Sequence, residues 1–304
     1  MTRPGWLYQP SSVSIVCRPA LPKDKSAVMA LTRNIWEGED YVPEVWSEWL
    51  ADPQGLLAVA EYGGSVAGLC KLTELDRNQW WLEGLRVDPN LQRRGIASHM
   101  LDYLLDYWRH FGGGTIRLAT ASARVSVHRM CDRTGFIKVA EVTPFSTLCN
   151  LDSNTKARDF APVPAQDIDE VERFAVASES ISLSHGLIDL GWRWGAPSLF
   201  LLNLAIEQGQ AWWWRGKRGL LIFEQDSDSE QELRSVIRLL ACNILDIQSC
   251  LADILELANS LGSEHVTWFA PIDSNLIPIL EAAGFRRDWE ESLYIYQKYH
   301  PDSA

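Results

Sequence analysis

At 304 residues the chain exceeds one ordinary domain, so two domains of about 150 residues are the first expectation. Its 46% hydrophobic and 22% charged residues are ordinary for a soluble globular protein. Residues 1–150 hold 16 acidic and 16 basic residues, whereas residues 151–304 hold 24 and 12. The second half therefore carries the whole net charge of −12, which argues against nucleic acid or an anionic membrane as partner.

Residues 1–12 read as an unstructured lead. Ser14–Arg18 alternates enough for a first strand, and Pro19 and Pro22 end it. Asp24–Asn34 carries Val28 and Leu31 at helical spacing, continued by Ile35, which predicts a helix. Glu37–Pro43 is a loop, and Glu44–Leu50 is a short helix with Val45, Trp46 and Trp49 apolar. Asp52-Pro53-Gln54-Gly55 turns into strand Leu56–Tyr62, and Gly63-Gly64 makes a hairpin to strand Val66–Thr73. The next strand holds Trp80, Trp81, Leu82, Leu85 and Val87 and stops at Asp88-Pro89-Asn90. Gln92-Arg93-Arg94-Gly95-Ile96-Ala97 then opens an apolar helix over His99–Trp108, ended by Gly112-Gly113-Gly114. Thr115–Thr120 is a strand, Val125–Arg133 a helix capped by Gly135, and Ile137–Val142 a strand.

Residues 151–164, with Pro162 and Pro164 at their end, read as a linker. Beyond it, helices are expected at Asp167–Ala177, Cys250–Leu261 and Leu276–Ala283. Strands are expected at Gln210–Arg215, Gly219–Glu224, Leu233–Ala241, His265–Phe269 and Leu293–Gln297, the last closing the domain. Helix, Gly-Phe, strand at 276–297 echoes the same succession at 125–142, which suggests a second copy of one fold.

Fourteen tryptophans require large apolar cores or aromatic-lined clefts. Cys17, Cys70, Cys131, Cys149, Cys242 and Cys250 stand far apart, with no Cys-x-x-Cys pair and no His spacing suited to zinc. No metal is expected, and dispersed thiols point to a cytoplasmic protein. The opening Met-Thr-Arg-Pro-Gly-Trp has no uninterrupted apolar run, so no signal peptide is expected. The most apolar long window, Gly186–Ile206, contains Asp189, Arg193 and Pro197, which rules out a simple membrane span.

The chemistry concentrates at the turn before the His99–Trp108 helix. Gly95 and Ala97 leave backbone N–H groups uncovered there, and the helix dipole adds about half a positive charge. Arg93 and Arg94 add full charge, making a cradle for a pyrophosphate. The stretch resembles the acetyl-CoA signature of the GCN5-related N-acetyltransferases, Gln/Arg-x-x-Gly-x-Gly/Ala, carried here by Gln92, Gly95 and Ala97. The strand before it and the helix after it are the context that signature needs. The first half's order, β-α-α-β-β-β-α-β-α-β, is that of the family.

The resemblance implies an α/β chain of α+β type with two acetyltransferase-like domains, each a mixed, mostly antiparallel twisted sheet flanked by helices. The expected boundaries are an acetyl-CoA-binding domain at 13–150, the linker at 151–164 and a degenerate copy at 165–304. Where the second copy should repeat the signature stands Cys242-Asn243-Ile244-Leu245-Asp246-Ile247, with no glycine and an aspartate of the phosphate's own sign. Acetyl-CoA is expected to bind the first domain only.

Transfer of an acetyl group to an amine needs a base, because ammonium groups are protonated near neutral pH. Glu83, a carboxylate in a strand flanked by tryptophans, is the candidate, and the resemblance to the family's diamine acetyltransferases implies the same. The alternative is that Glu83 pairs with an arginine such as Arg86 or points to water. The resemblance further implies that the backbone of Leu85, Arg86 and Val87 binds the acetyl carbonyl and pantetheine arm. The amides of Arg93, Arg94, Gly95, Ile96, Ala97 and Ser98, after Gln92, would bind the pyrophosphate. Arg124 is either a further phosphate contact or a solvated charge. Many family members place a tyrosine four residues before Gly-Phe as the acid for the leaving thiolate; Cys131 stands there and is either that acid or a core thiol.

The acceptor is expected at the Trp36–Trp49 segment, where Glu39 and Asp40 would attract an amine and Tyr41 and Trp46 supply aromatic walls. The run Ile35-Trp36-Glu37-Gly38-Glu39-Asp40-Tyr41-Val42-Pro43, with Leu82-Glu83-Gly84-Leu85-Arg86-Val87, is similar to the vertebrate histidine N-acetyltransferase group. That implies an amino acid or other small amine as acceptor and a monomer or homodimer. A non-catalytic acyl-CoA-binding or partner-binding module, and a protein N-acetyltransferase, are the alternatives.

Overall fold

A computed structural model of the protein describes residues 14–33, 35–149, 158–227 and 233–303. The expected lead, residues 1–12, and residues 151–157 of the expected linker lie outside them. The chain falls into two compact units. The first joins the residues up to Glu74 to Leu82–Gly113, and the second joins Leu75–Trp81 to the residues from Gly114 onward.

The first unit contains β1 (Ile15–Pro19), α1 (Lys25–Thr32), α2 (Val42–Ala51), β2 (Leu56–Tyr62), most of β3 (Ser65–Asp76), the later part of β4 (Gln79–Val87) and α3 (Ile96–Phe111). Strands β1, β2, β3 and β4 are neighbours in that order. The β1–β2 ladder is antiparallel from Ile15↔Tyr62 to Pro19↔Ala58. Val28 and Leu31 of α1 and Val42, Trp46 and Trp49 of α2 pack on Leu57, Val59 and Leu69 of the sheet. Helix α3 buries Ile96, Met100, Leu101, Leu104, Leu105 and Trp108, one stripe at helical spacing, against β1 and β2. Each such side chain contributes about 2 kcal/mol on burial, so α3 and the turn that starts it are held firmly.

One glycine is dictated by packing. Gly84 interrupts β4 at φ +66, and a Cβ there would lie 2.4 Å from the Trp49 ring. The strand therefore kinks over Trp49 between Glu83 and Leu85, a conformation and a clearance that only glycine supplies.

The second unit continues with β5 (Thr115–Ala121), α4 (Val125–Thr134), β6 (Ile137–Leu148), β7 (Phe160–Pro162), α5 (Ile168–Ala177), α6 (Glu179–Leu183), β8 (Ile188–Asp189), β9 (Trp194–Gly195), α7 (Leu199–Glu207), β10 (Ala211–Trp214), β11 (Gly219–Ser227), β12 (Leu233–Cys242), α8 (Ile247–Ser260), β13 (His265–Pro271), α9 (Leu276–Ala282), β14 (Arg286–Arg287) and β15 (Leu293–Tyr299). The main strand order is β5-β15-β6-β13-β12-β11-β10-β7. Pairing is antiparallel except at two places. Gln79–Trp81 of β4 runs parallel to Thr115–Arg117 of β5, and Arg234–Ile237 of β12 runs parallel to His265–Trp268 of β13. Each parallel pair is followed by a helix, a Gly-Phe turn and a strand, and that later succession is the internal echo expected from the sequence.

Two features differ from expectation. Strand β15 does not close the second half against that half's other strands; it lies between β5 and β6, pairing Leu293↔Ala121 and Leu293↔Val142. Alternating Leu293, Ile295 and Gln297 mark a strand but do not say which sheet edge receives it. The window Gly186–Ile206, conspicuous only for its apolarity, folds as the β8–β9 hairpin and α7, whose first turn is capped by the Ser198 hydroxyl accepting from Leu201 N. Among the described residues no helix is long and apolar enough to cross a membrane.

Candidate active site

The first unit gathers a group of ionisable side chains beside the Gly84 kink. Glu83 accepts a hydrogen bond from the Thr73 hydroxyl on β3, Oγ1 to Oε1 at 2.7 Å. Arg86, three residues on, donates from Nε and Nη2 to the two oxygens of Asp40 at 2.8 and 3.1 Å. Asp40 is only 5% exposed, and its Oδ1 also accepts from the Val42 amide at the head of α2. The Arg86 guanidinium lies 5.3 Å from the centre of the Tyr41 ring, which meets Trp49 edge-on. Burial pushes the Tyr41 hydroxyl's pKa up, and Arg86, Glu83 and Asp40 all act on it electrostatically, so the four groups share one small volume. Asp40 is turned inward onto Arg86 rather than outward to solvent. Glu39 is exposed, while Trp46 is 2% exposed and belongs to the core under the sheet.

Downstream on the same strand come Leu85 and Val87, then a turn organised by Asp88, whose Oδ1 accepts from the Asn90 amide at 2.8 Å. Arg93 and Gly95 both take left-handed backbone angles, φ +62 and +84, and α3 begins at Ile96. A Cβ on Gly95 would meet the His99 ring at an ordinary 3.6 Å, so the backbone angle, not space, calls for glycine there. Among the described residues none accepts a hydrogen bond from the amides of Gln92 to Ser98. Seven successive N–H groups at the positive end of a 16-residue helix suit an anion with several oxygens. Arg94 flanks them, its Nη1 donating to the Tyr62 hydroxyl at 3.1 Å and its guanidinium 5.5 Å from that ring's centre. The donor set thus fits the pyrophosphate of acetyl-CoA.

Arg124 and Cys131 belong to the second unit. Arg124 stands at the head of α4, where its carbonyl accepts from the Val127 and His128 amides. Cys131 is fully buried, and that burial pushes its thiol up to about 12. Sequence reasoning missed Thr73, a hydroxyl on β3, the strand beside β4. It also missed Tyr62, an aromatic beside the Gly63-Gly64 turn.

In the second unit the strand that corresponds to β4 ends differently. The Ser180 hydroxyl donates to Leu240 O at 2.7 Å and accepts from Cys242 N at 2.9 Å, while the Ser178 hydroxyl donates to Cys242 O at 3.0 Å. Glu179 accepts from Ile244 N, and the Asn243 side chain accepts from Leu245 N. The backbone groups at this strand end and turn are already engaged by the chain itself. Among the described residues no cluster of His, Cys, Asp and Glu is placed to hold a metal ion.

Residues 26–136 match the acetyltransferase (GNAT) family. A histidine N-acetyltransferase from Oreochromis niloticus is 32% identical over 85 residues, covering 28% of this chain and 25% of that protein. The human protein described as probable N-acetyltransferase 16 is 26% identical over 211 residues, covering 64% of this chain and 57% of that one. The chain thus spans a quarter to little more than half the length of these relatives. Among solved structures, a tandem GNAT protein from the clavulanic acid biosynthesis pathway superposes with a TM-score of 0.57 at 13% identity, over 94% of this chain and 98% of that one. Residues 26–136 of this chain are thus similar to the acetyltransferase (GNAT) family, and the chain shares its fold with a tandem GNAT protein.

Proposed function

We propose that the protein is a cytoplasmic acetyl-CoA-dependent N-acetyltransferase that moves the acetyl group directly to a primary amine of a small molecule or amino acid. The observation that carries this is the run of unpartnered amides from Gln92 to Ser98 with a carboxylate, Glu83, on the strand that leads into it. The domain at 13–150 binds the cofactor; the copy at 165–304, whose equivalent backbone is engaged by Ser178 and Ser180, does not. The similarity to histidine N-acetyltransferases supports a free amino acid, histidine first, as the acceptor.

In this scheme the cradle amides, with Arg93 and Arg94, hold the pyrophosphate. The backbone of Leu85, Arg86 and Val87 aligns the pantetheine arm and donates to the oxygen that becomes negative as the amine adds. Glu83 takes a proton from the ammonium group, directly or through a water, leaving a neutral amine. The new C–N bond forms, the C–S bond breaks, and the departing CoA thiolate takes its proton from water. Cys131, buried and with its thiol raised to about 12, is assigned to packing rather than to that proton transfer. Asp40 serves by holding Arg86 and the head of α2, while Tyr41 and Glu39 remain to meet the acceptor.

Titration with acetyl-CoA tests the cradle. The wild-type chain is expected to bind one equivalent, and Gly95→Glu, which puts a carboxylate among the amides and strains a φ of +84, is expected to lose most of the affinity. Unchanged affinity in Gly95→Glu removes the assignment.

A further inference from the structure

The Arg94 guanidinium is tied to an element other than the turn it grows from. Its Nη1 donates to the hydroxyl of Tyr62, the last residue of β2, at 3.1 Å, and the guanidinium lies 5.5 Å from the centre of that ring. The hydrogen bond fixes one nitrogen and the ring attracts the charge, so the two contacts together restrict a long side chain that is otherwise free to sample many rotamers. The end of β2 that carries Tyr62 stands beside the same turn. Tyr62 pairs with Ile15 of β1, and Ile15 Cδ1 is 4.0 Å from where a Cβ on Gly95 would lie. All of these residues belong to the first unit.

The chemistry of the partner matters. A carboxylate against Arg94 would cancel its charge, whereas a phenol is neutral and leaves the charge whole. Glu61, the carboxylate next to Tyr62 in the chain, is engaged by Arg18, whose Nε and Nη2 donate to its Oε1 at 2.9 and 2.7 Å. Among the described residues no carboxylate forms an ion pair with Arg94. A cation that must be ordered only when its anion binds loses about 2-fold to 10-fold in affinity, and ordering it beforehand recovers that factor. We propose that Tyr62 is a positioning residue for cofactor binding: its hydroxyl and ring hold the Arg94 guanidinium, with its charge whole, beside the Gln92–Ser98 turn before the pyrophosphate of acetyl-CoA arrives. The role rests on the cradle proposed above and concerns affinity for the diphosphate, not the chemical step.

The experiment is calorimetric titration of the full-length chain with acetyl-CoA, paired with kcat at saturating acetyl-CoA for whichever amine turns over fastest among free amino acids, polyamines, aminoglycosides and basic peptides. Tyr62→Leu removes both contacts and is expected to raise the Kd for acetyl-CoA at least about threefold with kcat within about twofold of wild type. Tyr62→Phe keeps the ring, loses the hydrogen bond, and is expected to show a smaller rise. In an Arg94→Gln background Tyr62→Leu is expected to cost nothing more, because no cation is left to hold. A rise below about threefold or tighter binding in Tyr62→Leu, a fall in kcat to match the lost affinity, or a full further loss on top of Arg94→Gln overturns the role of Tyr62 while the cradle stands. An unchanged Kd in Arg94→Gln shows instead that Arg94 does not meet the diphosphate, and Tyr62 falls with it. Absence of acetyl-CoA binding by the wild-type chain removes the cradle itself and the function proposed from it.

Discussion

Glu83 and Cys131 illustrate how the same physics sorts candidate catalytic groups. A carboxylate that keeps a hydroxyl partner and a half-buried setting remains usable as a base. A thiol that is fully buried and raised to about 12 holds its proton tightly, as a packing group does. Glu83→Gln is therefore expected to lose about 10²-fold or more in kcat while binding acetyl-CoA as before, which paired turnover and titration measurements check. Cys131→Ala should do the reverse: turnover within about twofold of wild type, and about 1 kcal/mol of stability lost from the small cavity, read by denaturant unfolding. A large turnover loss in Cys131→Ala with intact folding would return the thiol to the chemistry.

At the scale of elements, the turn before α3 and its flanking strand and helix were legible in the sequence because their determinants are local. Gly95, the Asp88-Pro89 stop and the 3.6-residue spacing from Ile96 to Trp108 each act within a few residues. The inward turn of Asp40 onto Arg86 was not legible, since 46 residues separate them and a loop acid gives no sign of which way it faces. Long-range charge pairs also set the pH response of β1 and α1. Hydrogen bonds from Arg18, which also reaches Glu61, hold the Asp24 carboxyl below the usual carboxylate range against its burial. A depressed folded value stabilises the chain above the unfolded carboxylate's pKa, near 4, and that contribution is lost as pH falls through the lower folded value. Melting temperature should fall as pH drops below about 4, and Arg18→Met should melt lower at neutral pH with a shallower acid slope. Equal acid slopes would show that the pair is not coupled to folding.

At the scale of the whole chain, the tandem could be read from repeated helix, Gly-Phe, strand segments, but the place of the last strand could not. Strand β15 pairs on one side with β5 and on the other with β6, so residues 293–299 enter between two strands that end at Ala121 and Leu148, far earlier in the chain. Ile295, fully buried in the cluster with Trp81, Ala140, Val142 and Phe269, is its anchor. Ile295→Ala is expected to cost about 3 kcal/mol and to lower a single unfolding transition of that unit, measured by calorimetry. A separate low-temperature transition, with the rest unmoved, would show that β15 folds on its own with the second copy.

The most direct test of acetyl transfer is CoA thiol release from acetyl-CoA by the wild-type chain across free amino acids, polyamines, aminoglycosides and basic peptides. Release with one small amine, histidine foremost, is the predicted result. Stoichiometric acetyl-CoA binding with no release for any amine would contradict it and leave a cofactor-binding protein without the chemistry.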